Sequence, residues 1–256
     1  MLRKTTFVIF ITAISFMSCK QTNFNQVLLK DDFSQLDTGL FSAPVGAHTE
    51  YHYLSEAAPK GKWVVSSFAS GDAWGRAWQV KQNESGHFMY QTMRNRSQKW
   101  THPMIISGDS LWKDYKLTVK FKPEDDSQYS GVAFRYRNDR CFYFFGVKDS
   151  AAYISIFRHS DTFNIMKETR LAEKPFMLPS DRELTAVVTV KGNSIIARLN
   201  ENLKLEAVDD TYKTGKVGLV SNARAVYRSV EVLTSIEELK MIENKNAACE
   251  LESLKL

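Results

Sequence analysis

The stretch Tyr115-Lys116-Leu117-Thr118-Val119-Lys120-Phe121-Lys122 decides the fold, because apolar and polar residues alternate along its whole length. A strand with this period of two places its apolar side chains on one face and its polar side chains on the other. Such a strand belongs to an antiparallel sheet that packs one face against a core and exposes the other to water. The stretch therefore predicts a layered β structure.

The same signal recurs on both sides of this stretch, with turn residues between the segments. Residues 131–137 and 141–147 are aromatic-rich and separated by three residues, which predicts a hairpin. Residues 184–190 and 195–199 flank Gly192-Asn193 and predict a second hairpin. Further predicted strands are residues 62–69, 87–92, 152–158, 216–221 and 226–232. About ten short strands with frequent turns predict an all-β, two-sheet antiparallel sandwich.

The first nineteen residues have the order of a secretory signal. Arg3 and Lys4 precede an apolar run at residues 7–16, which is too short to cross a hydrocarbon core of about 30 Å as a helix. Phe16-Met17-Ser18-Cys19 resembles the lipobox of bacterial lipoproteins, in which the cysteine is lipidated and the leader is removed. An ordinary signal peptide with an incidental cysteine is the alternative. Because Lys20 is not the aspartate that retains some lipoproteins at the inner membrane, we expect the outer membrane or cell surface.

Four parts of the chain follow from these patterns: a signal peptide at 1–19, a tether at 20–27, a β domain at 28–233 and a tail at 234–256. The tail mixes apolar with charged residues and predicts a short helix, which packs on the domain or links it to a partner domain or protein. After Cys19, the cysteines are Cys141 and Cys249, too few for a disulfide framework. Core packing must therefore hold the fold together.

The charge balance excludes a polyanion-coating protein. The chain carries 34 basic and 29 acidic residues, and losing Arg3 and Lys4 with the leader leaves a net charge of +3. Binding of single-stranded nucleic acid needs a concentrated positive groove. We therefore predict no nucleic-acid partner.

Four segments resemble the concanavalin A-like lectin and glucanase jelly rolls, in particular their laminin G-type and 3-keto-disaccharide-hydrolase-type domains. They are LKDDFS at 29–34, DYKLTVKF at 114–121, GVAFRY at 131–136 and GKVGL at 215–219. The resemblance covers residues 28–233 and implies a jelly-roll sandwich. It extends to the domain found ahead of the catalytic propeller in some rhamnogalacturonan lyases. These motifs are mostly structural and say little about chemistry.

Metal ligands are poorly represented. In this family the last strand often reads Phe-Asp-Asn-Val, and its aspartate can join one near the first strand around a structural calcium. Here residues 227–230 read Tyr-Arg-Ser-Val, with a cation where a hard oxygen ligand is needed. We therefore predict no cofactor. Asp31 or Asp32 is expected to cap a turn, and calcium binding at these residues is the alternative. His48, Glu50 and His52 could suit zinc if they alternated on a strand, but their Pro- and Ala-punctuated surroundings favour a loop.

Catalytic signatures are also weak. A retaining glucanase of this fold needs two carboxylates about 5 Å apart. The nearest match, Glu124-Asp125-Asp126, lies in a predicted turn, so we assign no catalytic residue. One alternative is a glycoside hydrolase or polysaccharide lyase that uses Glu84, Asp72 or His102 as acid or base in a groove on the concave face of the jelly roll. Another is a scaffold domain that holds a partner through the tail.

The strongest functional signal is the placement of aromatic rings beside arginine and histidine. Sugars stack their C–H faces on such rings, and a guanidinium can pair with a uronate carboxylate. Arg135 and Arg137 alternate with Phe134 and Tyr136, so we expect the two arginines on the opposite face. Trp63 and Trp112 are assigned to the core. The predicted carbohydrate-binding residues are Trp74, Arg76, Trp78, Tyr90, Trp100, His102, Arg135, Arg137, Tyr143 and Arg158.

These features together predict a surface-anchored, lectin-like domain that recognises a polysaccharide. Acidic polysaccharides such as pectin fit the arginines, and a neutral glycan remains the alternative.

Overall fold

The computed structural model of the protein describes residues 23–41, 60–66, 77–94, 102–162, 165–180 and 182–253. Within these ranges sixteen strands form two antiparallel sheets, and one helix follows the last strand. The elements are β1 (Gln26–Asp31), β2 (Gly39–Leu40), β3 (Val64–Ser66), β4 (Trp78–Asn83), β5 (Gly86–Gln91), β6 (Met104–Ser107), β7 (Tyr115–Pro123), β8 (Ser130–Asn138), β9 (Cys141–Lys148), β10 (Ala151–His159), β11 (Met166–Pro175), β12 (Leu184–Lys191), β13 (Ser194–Leu199), β14 (Leu203–Val208), β15 (Lys216–Ser221), β16 (Ala225–Thr234) and α1 (Ile236–Ser253).

The larger sheet has the order β14-β13-β12-β7-β16-β5-β4-β2, and β1 also pairs with β16. The smaller sheet has the order β11-β10-β9-β8-β15-β6-β3. The alternating apolar side chains of β7, among them Leu117 and Phe121, enter one core together with Phe134 and Ile154 of the smaller sheet. The predicted two-sheet antiparallel sandwich is confirmed.

The helix α1 confirms the predicted helical tail. It begins after Ser235, whose Oγ accepts a hydrogen bond from the Glu238 N–H at 3.2 Å, as a helix N-cap does. Ile242 is buried and joins the core, whereas residues 243–249 are exposed. No helix in the described ranges combines the length and apolar character that crossing a membrane requires.

The smaller sheet is apolar on both faces, although an antiparallel sheet commonly carries polar side chains on its outer face. The second apolar cluster, on the outer face, comprises Met104, Ile106, Tyr129, Ala133, Tyr136, Phe142, Phe144, Ala151, Tyr153, Phe157 and Val220. Gly131 and Gly146 face each other in β8 and β9, and a Cβ on either would lie within 3.0 Å of Phe144 Cζ. The two glycines therefore make room for the Phe144 ring.

A bulge in β8 corrects one sequence expectation. Arg135 has a φ of 47°, and the pairing register with β9 shifts between Phe134 and Asn138. Phe134 consequently packs between the sheets, whereas Tyr136 packs on the outer face. The expectation that Phe134 and Tyr136 share a face is wrong, because the bulge breaks the alternation on which it depends.

Candidate functional site

The outer face of the smaller sheet combines aromatic rings with a hydrogen-bonded polar group. We call this arrangement the outer-face site. It comprises His102, Tyr129, Lys148, Tyr153, Ser155, Glu168, Arg170, Glu173 and Asn222.

A bulge in the edge strand β11 builds the charged part of the site. Arg170 lies opposite Ser155 and Glu173 opposite Tyr153, with Leu171 as the extra residue between the two registers. Residues three apart in a regular strand point to opposite faces. The bulge therefore places Arg170 and Glu173 on the same face, where they form an ion pair at 2.6 Å.

Glu168 is the centre of the hydrogen-bonded group. Its Oε2 accepts a hydrogen bond from the Tyr129 hydroxyl at 2.6 Å, and its Oε1 accepts one from Ser155 Oγ at 2.7 Å. Burial, and then the neighbouring Glu168, raise the pKa of Tyr129, so the phenol stays protonated and donates. The Glu168 side chain is 24% exposed, which leaves part of the carboxylate open to a ligand.

Two cations lie over two of the rings. Arg170 Cζ is 4.0 Å from the centre of the Tyr153 ring, and Lys148 Nζ is 4.5 Å from the centre of the Tyr129 ring. Such contacts hold a cationic side chain against an aromatic face. Because the Arg170 side chain is 36% exposed while Tyr153 is fully buried, the site meets solvent along β11.

His102 closes the other side of the site. It is buried, with its ring centre 4.9 Å from that of Tyr129 and 5.0 Å from that of Phe157. Burial lowers the pKa of His102 to about 4, so the imidazole is neutral at pH 7. Its Nδ1 is 2.8 Å from Asn222 Oδ1 and donates to it, while His102 Nε2 and Asn222 Nδ2 are buried without a protein partner.

The structure places two predicted binding residues between the sheets. Trp78 is fully buried, and its ring centre is 5.7 Å from that of Tyr227. Tyr143 is fully buried and donates its hydroxyl to Asp209. A saccharide cannot stack on either ring without opening the sandwich. The same holds for Trp63 and Trp112, whose predicted core positions are confirmed.

Arg135 is a buried structural residue. Its guanidinium donates to the backbone carbonyls of Tyr212 at 3.2 Å, Lys113 at 3.1 Å and Gly192 at 2.8 Å. It also lies 3.6 Å from the Asp114 carboxylate. All of these groups belong to loops at one end of the sandwich, so Arg135 ties loops together where a surface position was expected.

The remaining described candidates are scattered. Arg137 is exposed and donates to Thr214 Oγ1, and Arg158 is half-buried and donates to Thr169 Oγ1. Tyr90 is on the larger sheet and donates its hydroxyl to Glu124 at 3.0 Å. Of the predicted set, His102 alone among the described residues belongs to the outer-face site. The predicted residues Cys19, His48, Glu50, His52, Asp72, Trp74, Arg76 and Trp100 lie outside the described residues.

The Asp31 and Arg228 side chains, near the first and last strands, both have protein partners. The Asp31 carboxylate accepts hydrogen bonds from Phe33 N at 2.7 Å and Trp63 Nε1 at 2.8 Å. The Arg228 guanidinium lies 4.7 Å above the Phe88 ring. Asp31 is therefore a turn cap and a tryptophan anchor. Elsewhere in the described ranges, no group of three or more His, Cys, Asp or Glu side chains is placed to hold a metal ion.

The acidic candidates away from this face are held in turns. Asp125 pairs with Arg94, Asp126 accepts a hydrogen bond from Ser150 N, and Glu84 is exposed between β4 and β5. The other eight residues of the outer-face site, among them Tyr129, Glu168 and Arg170, were not predicted from the sequence. Only the alternation of Tyr153 and Ser155 with apolar neighbours could have pointed to this face, and the apolar residues on both faces of β10 obscure it.

Comparison with known proteins establishes the fold. No family model and no curated protein sequence matches the chain. The carbohydrate binding module CBM66 from Bacillus subtilis is similar in structure, with a TM-score of 0.51 and 17% identity over 68% of this chain and 96% of that chain. LamA from Z. galactanivorans, solved with laminaritriose and laminaritetraose, has a TM-score of 0.51 and 9% identity over 83% of this chain and 100% of that chain. At such identities the likeness concerns the fold alone, and the fold is that of the concanavalin A-like lectins and glucanases.

Proposed function

We propose that this protein is a carbohydrate-binding, lectin-like domain that holds a segment of a polysaccharide at the outer-face site. The observation that carries the proposal is the partly exposed Glu168 carboxylate, held by two hydroxyl groups at the open side of a buried aromatic layer. The similarity in fold to a carbohydrate binding module supports it.

The chemistry of Glu168 suits a sugar. An ionised carboxylate offers about four acceptor positions, and Tyr129 and Ser155 each occupy one. Sugar hydroxyls can therefore donate to the remaining positions. The Tyr129 and Tyr153 rings hold the Glu168 carboxylate and its neighbours in place. Because these side chains are ordered before a ligand arrives, less conformational entropy is lost on binding.

Replacement of Glu168 by Gln tests the site. Glu168→Gln keeps the shape of the side chain but removes its charge and half of its acceptor capacity, so affinity for the bound oligosaccharide should fall at least tenfold. Glu231→Gln is the matched control, because Glu231 is an ion-paired glutamate on β16, in the middle of the larger sheet. Isothermal titration calorimetry against a panel of soluble oligosaccharides measures the affinities of both variants and of the wild-type protein. The proposal fails if no oligosaccharide binds, or if the two variants bind equally well.

An enzyme acting on the same glycan is a second candidate. Glu168 and Glu173 both pair with the Arg170 guanidinium, at 3.7 Å and 2.6 Å, so two carboxylates lie near each other on one face. Glycoside hydrolases use such a pair as acid and base or nucleophile. A reducing-end assay on every bound oligosaccharide distinguishes the two functions, since a binding domain releases no product.

We also propose that the domain is exported and attached to the outer membrane or cell surface through a lipid on Cys19. The lipobox-like residues 16–19 support this location. A role for the tail in holding a partner domain is supported by the exposed apolar side chains of Ile236 and Met241 on α1.

A further inference from the structure

We propose that the outer-face site selects neutral glycans and rejects acidic ones. The inference rests on the proposed function and adds the ligand class. It reverses the preference for pectin-like polysaccharides that the arginine content of the sequence suggested.

The guanidinium that could recognise a uronate is already engaged. Bidentate recognition of a carboxylate uses two parallel N–H groups of an arginine. In Arg170, Nη1 is 2.6 Å from Glu173 and Nε is 3.7 Å from Glu168, while one face of the group lies on the Tyr153 ring. An incoming uronate would have to displace a carboxylate of the protein itself.

The second cation is also balanced. Lys148 Nζ is 3.4 Å from the Asp149 carboxylate and lies over the Tyr129 ring. In the outer-face site and its ion pairs, two cations, Arg170 and Lys148, thus lie beside three carboxylates, Glu168, Glu173 and Asp149. A negative ligand would meet an excess of negative charge.

The acceptors of the site match hydroxyls. The partly exposed Glu168 has open acceptor positions. A neutral sugar satisfies them by donating from its hydroxyls. A carboxylate in the same place has no proton to donate and would lie against the Glu168 carboxylate without a hydrogen bond.

Matched pairs of ligands test the selectivity. Each pair has one backbone in two charge states, such as methyl-esterified and de-esterified oligogalacturonides, or cello-oligosaccharides and their oxidised cellouronates. We expect the neutral member of any pair that binds to bind at least tenfold more tightly by titration calorimetry. Raising the salt concentration should narrow this difference in affinity, because salt screens the repulsion between the acidic ligand and the carboxylates of the site.

Glu173→Gln supplies a gain-of-function arm, because it frees the Nη1 side of Arg170 to bind a uronate. Affinity for the acidic member should rise in this variant and stay unchanged in Glu231→Gln. Equal or tighter binding of the acidic member by the wild-type protein overturns the selectivity but leaves the proposed function intact. Binding of neither member of any pair overturns both.

Discussion

Arg135 lies in the bulge of β8, and there its side chain turns towards the loops at one end of the sandwich. The guanidinium reaches three backbone carbonyls, and its own N–H donates to the Tyr115 hydroxyl at 2.9 Å. Backbone groups buried away from water need such partners. The positive φ of Arg135 is a strained conformation for a residue with a side chain, and this network compensates for it.

Arg135→Ala should therefore destabilise the fold. Breaking a buried charged network by removing one partner costs about 3–5 kcal/mol, and urea denaturation measures this loss in the free energy of unfolding. Arg137→Ala is the control two positions along the same strand, because Arg137 is exposed and exposed substitutions usually change stability by less than about 0.5 kcal/mol. Equal effects of the two substitutions would show that Arg135 has no structural role.

His102 gives the stability of the protein a dependence on pH. Burial holds the pKa of the folded imidazole at about 4, below its ordinary value of 6.5. Between these values the unfolded chain binds a proton that the folded chain does not, so acidification favours unfolding. At about 1.4 kcal/mol per pH unit, the folded state should lose about 3 kcal/mol as the pH falls from 6.5 to 4.

His102→Gln should flatten the dependence of the unfolding free energy on pH in this window. The comparison variant is His159→Gln. Partial burial and Arg140 also lower the pKa of His159, but its side chain is exposed, so the slope should change less. Urea titrations at half-unit steps of pH measure both, and an unchanged slope in His102→Gln would contradict the assignment.

At the level of elements, period-two alternation predicted strands that carry apolar side chains on one face and polar side chains on the other. β7 was predicted at residues 115–122 and is observed at Tyr115–Pro123, and both predicted hairpins are present. β1, β2, β4, β6, β11 and β14 were not predicted, although β14 (LKLEAV) does alternate over its six residues. In β11 most side chains are polar on both sides, as expected of an edge strand.

The site was harder to predict than the fold, for a physical reason. Two bulges, at Arg135 and at Leu171, decide which side chains reach the outer face. One extra residue reverses the faces of all residues that follow it, and no local sequence signal marks its position here. Arg135 was consequently placed on the surface, and the grouping of Arg170 with Glu173 was missed.

The helix α1 contacts the sandwich through its first two turns. Ile242 is 6% exposed and belongs to the main core, while its neighbour Met241 is 46% exposed. Ile242→Ala should lower the free energy of unfolding by about 2 kcal/mol or more, as large-to-small core substitutions do. Met241→Ala, which changes the same helix at an exposed position, should have little effect. If the two variants are equally stable in urea, the helix does not dock as described.

At the scale of the whole molecule, the sandwich is held by its core. The cysteines in the described ranges, Cys141 and Cys249, are both unpaired, and two apolar clusters lie on either side of the smaller sheet. A sheet with both faces covered contributes more buried apolar area than one with a wet face. In the described part of the chain, this packing takes the place of disulfides in holding the sandwich together.

If Cys19 is lipidated, the tether limits how far the domain can stand from a membrane. Six residues lie between Cys19 and Gln26, where β1 begins, and the span from Cys19 to Gln26 is at most about 25 Å when extended. If Cys19 is lipidated, the full chain expressed in a Gram-negative host should sediment with membranes, take up a radiolabelled fatty acid and need detergent for release. Cys19→Ser should lose the label and the need for detergent, because acyl chains supply the membrane affinity. Cys141→Ser is the control for loss of a thiol elsewhere, and a label retained in Cys19→Ser would rule out this anchor.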